Sequence, residues 1–352
     1  MSGSSLDGLD IAHVKFEEVR GKWSYEILNA TCNPYPAPIA TKLKNAVNLN
    51  VAEFLELNTT YGRLLGESVK GFIIENGLEH KINFVASHGH TIHHNPEKRT
   101  SFQMGDGASI AVVSGLPVIS DLRNTDVALG GQGAPIVPIG DRLLFGEYSY
   151  LLNIGGIANL TCQTNDSSIA FDICVANQAL NALAQKEGFA MDSGGTLAAS
   201  GSLLVNVLDA LKQNNYYKKA APKSLSNEQA IELVFPVLNE SQHSTADLLH
   251  TVCELIAWQV AQAVETNKVT LEPTKMLITG GGAFNNYLVQ RIETHLGELN
   301  VTVEVPKPDL IKFKEAVVMA LIGTLRWREE NNVLSSVTGA QNDSCGGALW
   351  LP

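Results

Sequence analysis

Apolar and polar positions alternate over residues 9–16 (Leu-Asp-Ile-Ala-His-Val-Lys-Phe), the two-residue period of a strand with one buried face. From 51 to 75 the period changes. Phe54, Leu55, Leu64, Leu65, Val69, Phe72 and Ile73 recur near helical spacing, which predicts a long amphipathic helix. Residues 82–86 read as a short apolar strand that runs into Ser87-His88-Gly89-His90, and residues 106–119 as a helix followed by a strand at 117–119. After the Gly/Pro-rich stretch 130–138 the logic repeats: a strand at 150–154, a Gly155-Gly156 turn, and a strand at 157–161. Residues 247–265 place Leu248, Leu249, Val252, Leu255, Ile256 and Val260 on one helical stripe, and Met276-Leu277-Ile278 forms a buried strand feeding Thr279-Gly280-Gly281-Gly282-Ala283.

Strands alternating with helices predict an α/β sheet with functional groups gathered at strand ends. The repeated logic predicts two similar halves, with a boundary near 130–145: a first domain over 1–142 and a second over 143–352, whose last residues pack back on the first. A length of 352 residues suits two domains of ordinary size.

Composition narrows the partners. Hydrophobic residues make up 45% and charged residues 17%, as in a globular enzyme. The formal net charge is -11 and no Lys/Arg run offsets it, which argues against a nucleic-acid partner. No apolar run approaches the ~20 residues of a membrane helix, and residues 1–5 carry neither the basic nor the apolar region of a signal peptide. The five cysteines, Cys32, Cys162, Cys174, Cys253 and Cys345, are odd in number and never spaced as C-x-x-C, a pattern of reduced thiols that points to the cytoplasm.

Three glycine turns, each at a strand end, are candidates for holding a nucleotide. Gly3-Ser4-Ser5 with Asp7 offers backbone N–H groups, hydroxyls and a carboxylate that can hold a phosphate-bridging Mg²⁺. Gly155-Gly156 is a second phosphate turn. Gly280-Gly281-Gly282 with Asn285 is a third, where missing side chains leave room for a base or ribose. Any one of them alone reads equally as a chain reversal. Neither G-x-G-x-x-G nor G-x-x-x-x-G-K-[ST] occurs, so a dinucleotide fold and a P-loop are unsupported.

Longer motifs add a resemblance. Met-Ser-Gly-Ser-Ser-Leu-Asp-Gly-Leu-Asp (1–10), Ser-His-Gly-His-Thr-Ile-His-His-Asn-Pro (87–96) and Phe-Gln-Met-Gly-Asp (102–106) occur in that order. They are followed by Asp-Leu-Arg-Asn-Thr-Asp-Val-Ala-Leu-Gly-Gly-Gln-Gly-Ala-Pro (121–135), Asn-Ile-Gly-Gly-Ile-Ala-Asn (153–159), Phe171-Asp172, Thr-Gly-Gly-Gly-Ala-Phe-Asn (279–285) and Ser-Val-Thr-Gly-Ala (336–340). The series resembles the anhydro-N-acetylmuramic acid kinases over nearly the whole chain. That resemblance implies an actin-like fold of two ribonuclease-H-like domains with ATP in the cleft between them, and generally a homodimer. It also implies a reaction: water opens the ring of 1,6-anhydro-N-acetylmuramic acid, from recycled cell wall, and ATP phosphorylates the freed 6-hydroxyl.

Such chemistry needs a carboxylate base for the water, and Asp172 matches the family's base; capping a helix over 177–186 is its plainer alternative. Arg123 and Asp126 resemble sugar-side residues, the Arg fork suiting a lactyl carboxylate, with an interdomain ion pair as the alternative. Glu315 matches an acidic residue at the sugar end, or simply a solvated helix start. His88 and His90 are read as substrate contacts on a loop. With His93 and His94 they leave open a metal-dependent enzyme of the same fold. The chain also departs from the family pattern. An apolar strand expected before Met-Ser-Gly is absent from the start. Asp172-Ile-Cys-Val-Ala-Asn177 lacks the usual glycines while keeping Asn177, and Asn227 stands where an Arg is usual. A weak or inactive nucleotide- or sugar-binding relic therefore remains a second reading.

Overall fold

The computed structural model describes residues 1–3, 6, 8–164, 168–221, 223–269 and 273–352, with the side chain of Asn227 left aside. Ser4, Ser5 and Asp7, three of the phosphate-turn candidates, lie outside the described residues. Two compact units emerge, one of Met1–Phe145 with Phe313–Pro352 and one of Gly146–Lys312.

The alternation at 9–16 becomes β1 (Gly8–Val19), which reverses through Arg20-Gly21 into β2 (Lys22–Pro34) as an antiparallel hairpin. Both turn residues have positive φ, 54° and 78°, the geometry that lets a two-residue turn follow the twist of its strands. The helical period sets in after α1 (Ala37–Asn45) and yields α2 (Val51–Glu75). The start of α2 is fixed by a capping box in which Asn50 accepts from Glu53 N and Glu53 reaches back to the Asn50 amide. Next come β3 (Val85–Ala86), β4 (His90–Asn95), β5 (Thr100–Met104), α3 (Gly107–Ser114), β6 (Val118–Ser120), α4 (Asn124–Ala128) and α5 (Pro138–Leu144).

Two expectations change here. Only Val85 and Ala86 of the apolar run 82–86 are strand, because the partner β6 has three residues and pairs through Val118 and Ile119. Most of the histidine segment is not a loop: β4 and β5 pair as a hairpin with His90 opposite Met104 and His94 opposite Ser101.

The second unit contains β7 (Tyr150–Ile154), β8 (Ile157–Gln163), β9 (Ser168–Val175), α6 (Asn177–Lys186), α7 (Thr196–Ser200), α8 (Val205–Lys212), α9 (Asn227–Glu240), α10 (Thr245–Thr266), β10 (Lys275–Thr279), α11 (Asn286–Gly297) and β11 (Thr302–Glu304). Its sheet runs β11-β10-β7-β8-β9. β7, β8 and β9 form an antiparallel meander, while β10 and β11 continue parallel from β7. That is the ribonuclease-H-like arrangement. β7 is central and buried on both faces, with Leu152 and Ile154 fully enclosed, as a continuous apolar strand requires. The stripe read at 247–265 is the inner face of α10, where Leu249, Val252, Ile256 and Val260 lie in the core.

The chain then enters α12 (Pro308–Trp327), α13 (Ser335–Thr338) and β12 (Ala348–Trp350). β12 returns to the first unit and pairs antiparallel to β6, completing a sheet of order β12-β6-β3. Trp350 Nε1 donates to Ser120 Oγ at 3.0 Å and seals the end of that sheet. Beneath the hairpins, Tyr61, Leu65, Met104, Ile110 and Val118 form the first unit's core. The fold is the expected α/β, actin-like class, with its sheet fully developed in the second unit. No single helix among the described residues is long and apolar enough to cross a membrane.

Candidate active site

In the first unit the motif residues gather around one guanidinium. Arg123 precedes α4 and is largely buried; its Nε donates to His88 Nε2 at 2.9 Å and its Nη1 to Gly133 O at 2.6 Å. His88 sits between β3 and β4 because Gly89 turns the chain there with φ 71°, and a side chain at 89 would collide with Met104 O. Burial first, and the Arg123 charge second, hold the His88 pKa down to about 3. His90, opening β4, shares a hydrogen bond with Ser2 Oγ at 3.1 Å.

Asp126 is enclosed within α4. Its Oδ2 accepts from Gly133 N at 2.7 Å and its Oδ1 from Thr338 Oγ1 at 2.6 Å. Both oxygens are thus spent on closing the 130–133 loop, the same loop whose carbonyl holds Arg123. Glu315 lies on α12 next to Lys314, which is itself tied to Asp141 at 2.8 Å. The Glu315 side chain reaches solvent, yet surrounding protein first, and the Asp10 charge second, raise its pKa.

The histidines do not converge. His93 bonds Thr100 Oγ1 and His94 bonds Ser101 Oγ, each across the hairpin. Among the described residues no three His, Cys, Asp or Glu side chains form a group that could hold a metal ion. The strand alternation of β4 is the reason: it turns neighbouring imidazoles to opposite faces.

In the second unit Asp172 lies on β9, five residues before α6. Ala176 is the N-cap position of that helix and no side chain caps it, so the capping role does not apply. The backbone around Asp172 is clamped instead. Its N donates to Lys223 O at 2.9 Å and its O accepts from Tyr216 Oη at 2.7 Å, while Oδ2 accepts from Leu225 N at 2.9 Å. Burial raises its pKa, against the opposing pull of the Leu225 bond. Tyr216, Lys223 and Leu225 were not singled out from the sequence; they lie 44 to 53 positions away from Asp172.

The two glycine turns of this unit meet at Asn177. Asn177 Nδ2 donates to Ile154 O at 3.1 Å, at the end of β7, and its side chain faces Gly281 and Gly282. Gly280 has φ 80°, and a side chain there would strike Asn153 and the Ile154 carbonyl. A side chain at Gly282 would strike Ile154. At Gly155 and Gly156, by contrast, an added Cβ meets nothing closer than 3.4 Å and 3.8 Å, so packing does not demand these glycines. Asn285 caps α11, accepting from Leu288 N at 3.0 Å. Phe284, beside it, is 40% exposed, an aromatic face at the Gly-rich turn that the sequence reading passed over.

The whole chain, residues 1–352, matches the protein-family description "Anhydro-N-acetylmuramic acid kinase". It is 32% identical over 367 residues to the anhydro-N-acetylmuramic acid kinase of Francisella tularensis subsp. novicida, covering 97% of this chain and 95% of that one. The Sulfurimonas denitrificans protein of the same name is 30% identical over 368 residues, covering 99% and 98%. Among solved structures, xylulose kinase from Rhodospirillum rubrum overlays 63% of this chain and 46% of its own, with 14% identity and a TM-score of 0.34. So loose an overlay adds nothing to the sheet topology above.

Proposed function

The chain belongs to the anhydro-N-acetylmuramic acid kinase family, and we propose on that premise that it hydrolytically opens 1,6-anhydro-N-acetylmuramic acid and phosphorylates the freed 6-hydroxyl from ATP. The observation that carries the reading is Asp172: a strand carboxyl with one oxygen engaged by a backbone amide, an elevated pKa and no helix to cap.

The chemistry balances as follows. A water oxygen bonds to the anomeric carbon as the bond from that carbon to O6 breaks. The water proton passes to Asp172, whose raised pKa makes it a stronger base than an ordinary carboxylate. The released O6 bonds to the γ-phosphorus, and the bond from phosphorus to the ADP oxygen breaks. The Leu225 amide steadies the carboxylate through Oδ2 and leaves Oδ1 as the proton acceptor.

Each unit takes its own share. In the first, Arg123 binds the lactyl carboxylate, held at its working angle by His88 and Gly133 O, while Asp126 is a positioning residue that locks the loop bearing Gly133. His90 and Glu315 contact the sugar. In the second, Gly155 and Gly156 leave open space for phosphate oxygens, Asn177 holds their turn against Gly280, Gly281 and Gly282, and Phe284 offers a face to the base. Asn285 serves this site through its cap of α11.

A divalent ion, Mg²⁺ by its preference for phosphate oxygens and water, would supply charge neutralisation at the transferred group. Asp7, which lies outside the described residues, would hold it through the phosphate it bridges. Domains at 1–142 and 143–352, with the last residues of the second packing back on the first, a homodimer and a cytoplasmic location complete the proposal.

ADP release by purified protein with Mg-ATP and the anhydro sugar tests it, with the D172N variant alongside. Turnover lost in the variant supports the assignment; absence of sugar-dependent ADP release from the native chain removes it. One observation favours the relic reading. The amides of Ala176, Asn177 and Gln178, which open α6, donate to the carbonyls of Gly155 and Gly156, so they face the turn. ATP binding without turnover would select that alternative.

A further inference from the structure

Asp172 stands on a sheet edge that is paired in an irregular way. β9 is the last strand of its sheet. Its ladder to β8 steps from Cys174 opposite Ala158 to Asp172 opposite Asn159, leaving Ile173 as an extra residue. Such a bulge bends the strand and interrupts its pairing. Along the outer side of β9 runs the segment 223–225. Asp172 N donates to Lys223 O at 2.9 Å, one of the two bonds that a parallel bridge between Asp172 and Ser224 requires. The second bond of that bridge would join Leu225 N to Asp172 O. In its place Leu225 N donates to the Asp172 carboxylate, at 2.9 Å to Oδ2, and the Tyr216 hydroxyl donates to Asp172 O at 2.7 Å.

The exchange of partners has a physical cause. A backbone carbonyl withdrawn from water needs a donor, and Leu225 N is the donor that ladder geometry offers to Asp172 O. Tyr216 supplies another and so releases the amide to the carboxylate. The phenol is built into its place. It is buried, its ring lies edge-on to Tyr217 at 6.1 Å, and Lys223 Nζ sits 4.7 Å from the ring centre while donating to Tyr216 O at 3.3 Å. Asn214 Oδ1 accepts from Tyr216 N at 3.0 Å and starts the turn that carries it. Burial first, and the Asp172 charge second, raise the Tyr216 pKa, so the hydroxyl keeps its proton and donates it. The other groups near Asp172 do not compete for its carboxylate. Lys219 and Lys223 turn their ammonium groups to the Tyr216 ring. Burial pushes the Cys174 thiol up to about 12, which leaves it neutral, and Asn159 across the ladder carries no charge.

We propose that Tyr216 is a positioning residue for Asp172: by holding the Asp172 carbonyl it directs the Leu225 amide to Oδ2, which fixes the carboxylate and leaves Oδ1 as the proton acceptor. The catalytic part of this assignment rests on the reading of Asp172 as the base; the arrangement of the three hydrogen bonds does not. Without the hydroxyl, Leu225 N returns to Asp172 O, the regular bridge forms, and the carboxylate loses both its donor and its fixed angle.

The test is Y216F, which removes the hydroxyl and keeps the ring. Two magnetic-resonance signals read the arrangement without any turnover. One is the Asp172 carboxyl carbon in aspartate-labelled protein, assigned by D172N; the other is the Leu225 amide in leucine-labelled protein, assigned by L225M. In the native chain the Leu225 amide shift should follow the Asp172 titration. In Y216F it should cease to follow, and Asp172 should titrate at higher pH, because a carboxylate that loses a donor is a weaker acid. With both substrates, kcat should fall about tenfold or more while each KM stays within about twofold, and the acid limb of the rate profile should move up with the carboxyl. Y217F is the comparison: Tyr217 Oη has no hydrogen-bond partner among the described residues, so its loss should leave both signals as in the native chain. A Leu225 amide that still follows Asp172 in Y216F, or an equal shift in Y217F, would overturn the proposal. So would a Y216F enzyme whose kcat falls with an unmoved acid limb. Absent native turnover, with both signals changing as expected, would remove the kinase reading and leave the Tyr216 control of the carboxylate standing.

Discussion

Arg123 Nε donates to His88 Nε2 at 2.9 Å, and since a guanidinium can only donate, the imidazole proton must sit on Nδ1, where it meets Gly89 O at 3.0 Å. A histidine so placed cannot take a second proton without breaking the Arg123 bond. This makes His88 a neutral orienting group, in keeping with a pKa that burial first and the Arg123 charge second hold down to about 3.

A pH dependence follows. The native His88 pKa lies below the value of about 6.5 expected in the unfolded chain. As pH falls from about 6.5 toward 3 the unfolded state takes up a proton that the native state refuses, so this residue lowers stability progressively over that window. H88Q keeps an acceptor for Arg123 and has no such proton. Urea midpoints at pH 7 and pH 5 should therefore differ less in H88Q than in the native protein; equal differences would refute the tautomer argument.

Asp172 carries the opposite sign. Its native pKa is raised by burial, so the stability linked to its neutral form is present at low pH and lost as pH rises through the native pKa. D172N should melt slightly higher than the native protein at pH 7, while sugar-dependent ADP release falls about 10²- to 10⁴-fold. The acid limb of the native pH–rate profile should lie above the ordinary carboxylate value of about 4. A variant that loses stability and activity together would show the residue to be structural.

For Asp126 the expectation is structural first. D126A strands the Gly133 amide and the Thr338 hydroxyl, at a cost on the order of 3 kcal/mol. D126N restores one acceptor and lets its amide donate to Thr338, so chemical denaturation should find it closer to native. Because Gly133 O holds Arg123, KM for the sugar should rise in D126A more than KM for ATP.

The glycine turns separate packing from binding. G282A drives a methyl into Ile154 and should cost about 1–3 kcal/mol of stability. G156A has open space before it; its melting point should stay near native while ATP affinity, read by calorimetry, declines. Unchanged ATP affinity in G156A would remove that turn from the nucleotide site.

Local pattern determined much of this molecule. Residues 51–75 are a helix because their apolar period and the Asn50 and Glu53 cap agree, and α10 follows from one long stripe. The motifs were enough to place the chain in its family, since they name residue types at set spacing. Tertiary structure alone decided the rest. Residues 82–86 carry a strand's composition, yet strand length depends on the partner, and β6 supplies only a short one. The β1-β2 hairpin, the dispersal of the histidines along β4 and the closure of Asp126 by Thr338, 212 residues away, depend on pairings that no local period encodes. So do the Tyr216 and Leu225 clamps on Asp172: a hydrogen bond needs two groups within about 3 Å, and only the folded chain brings such distant groups together.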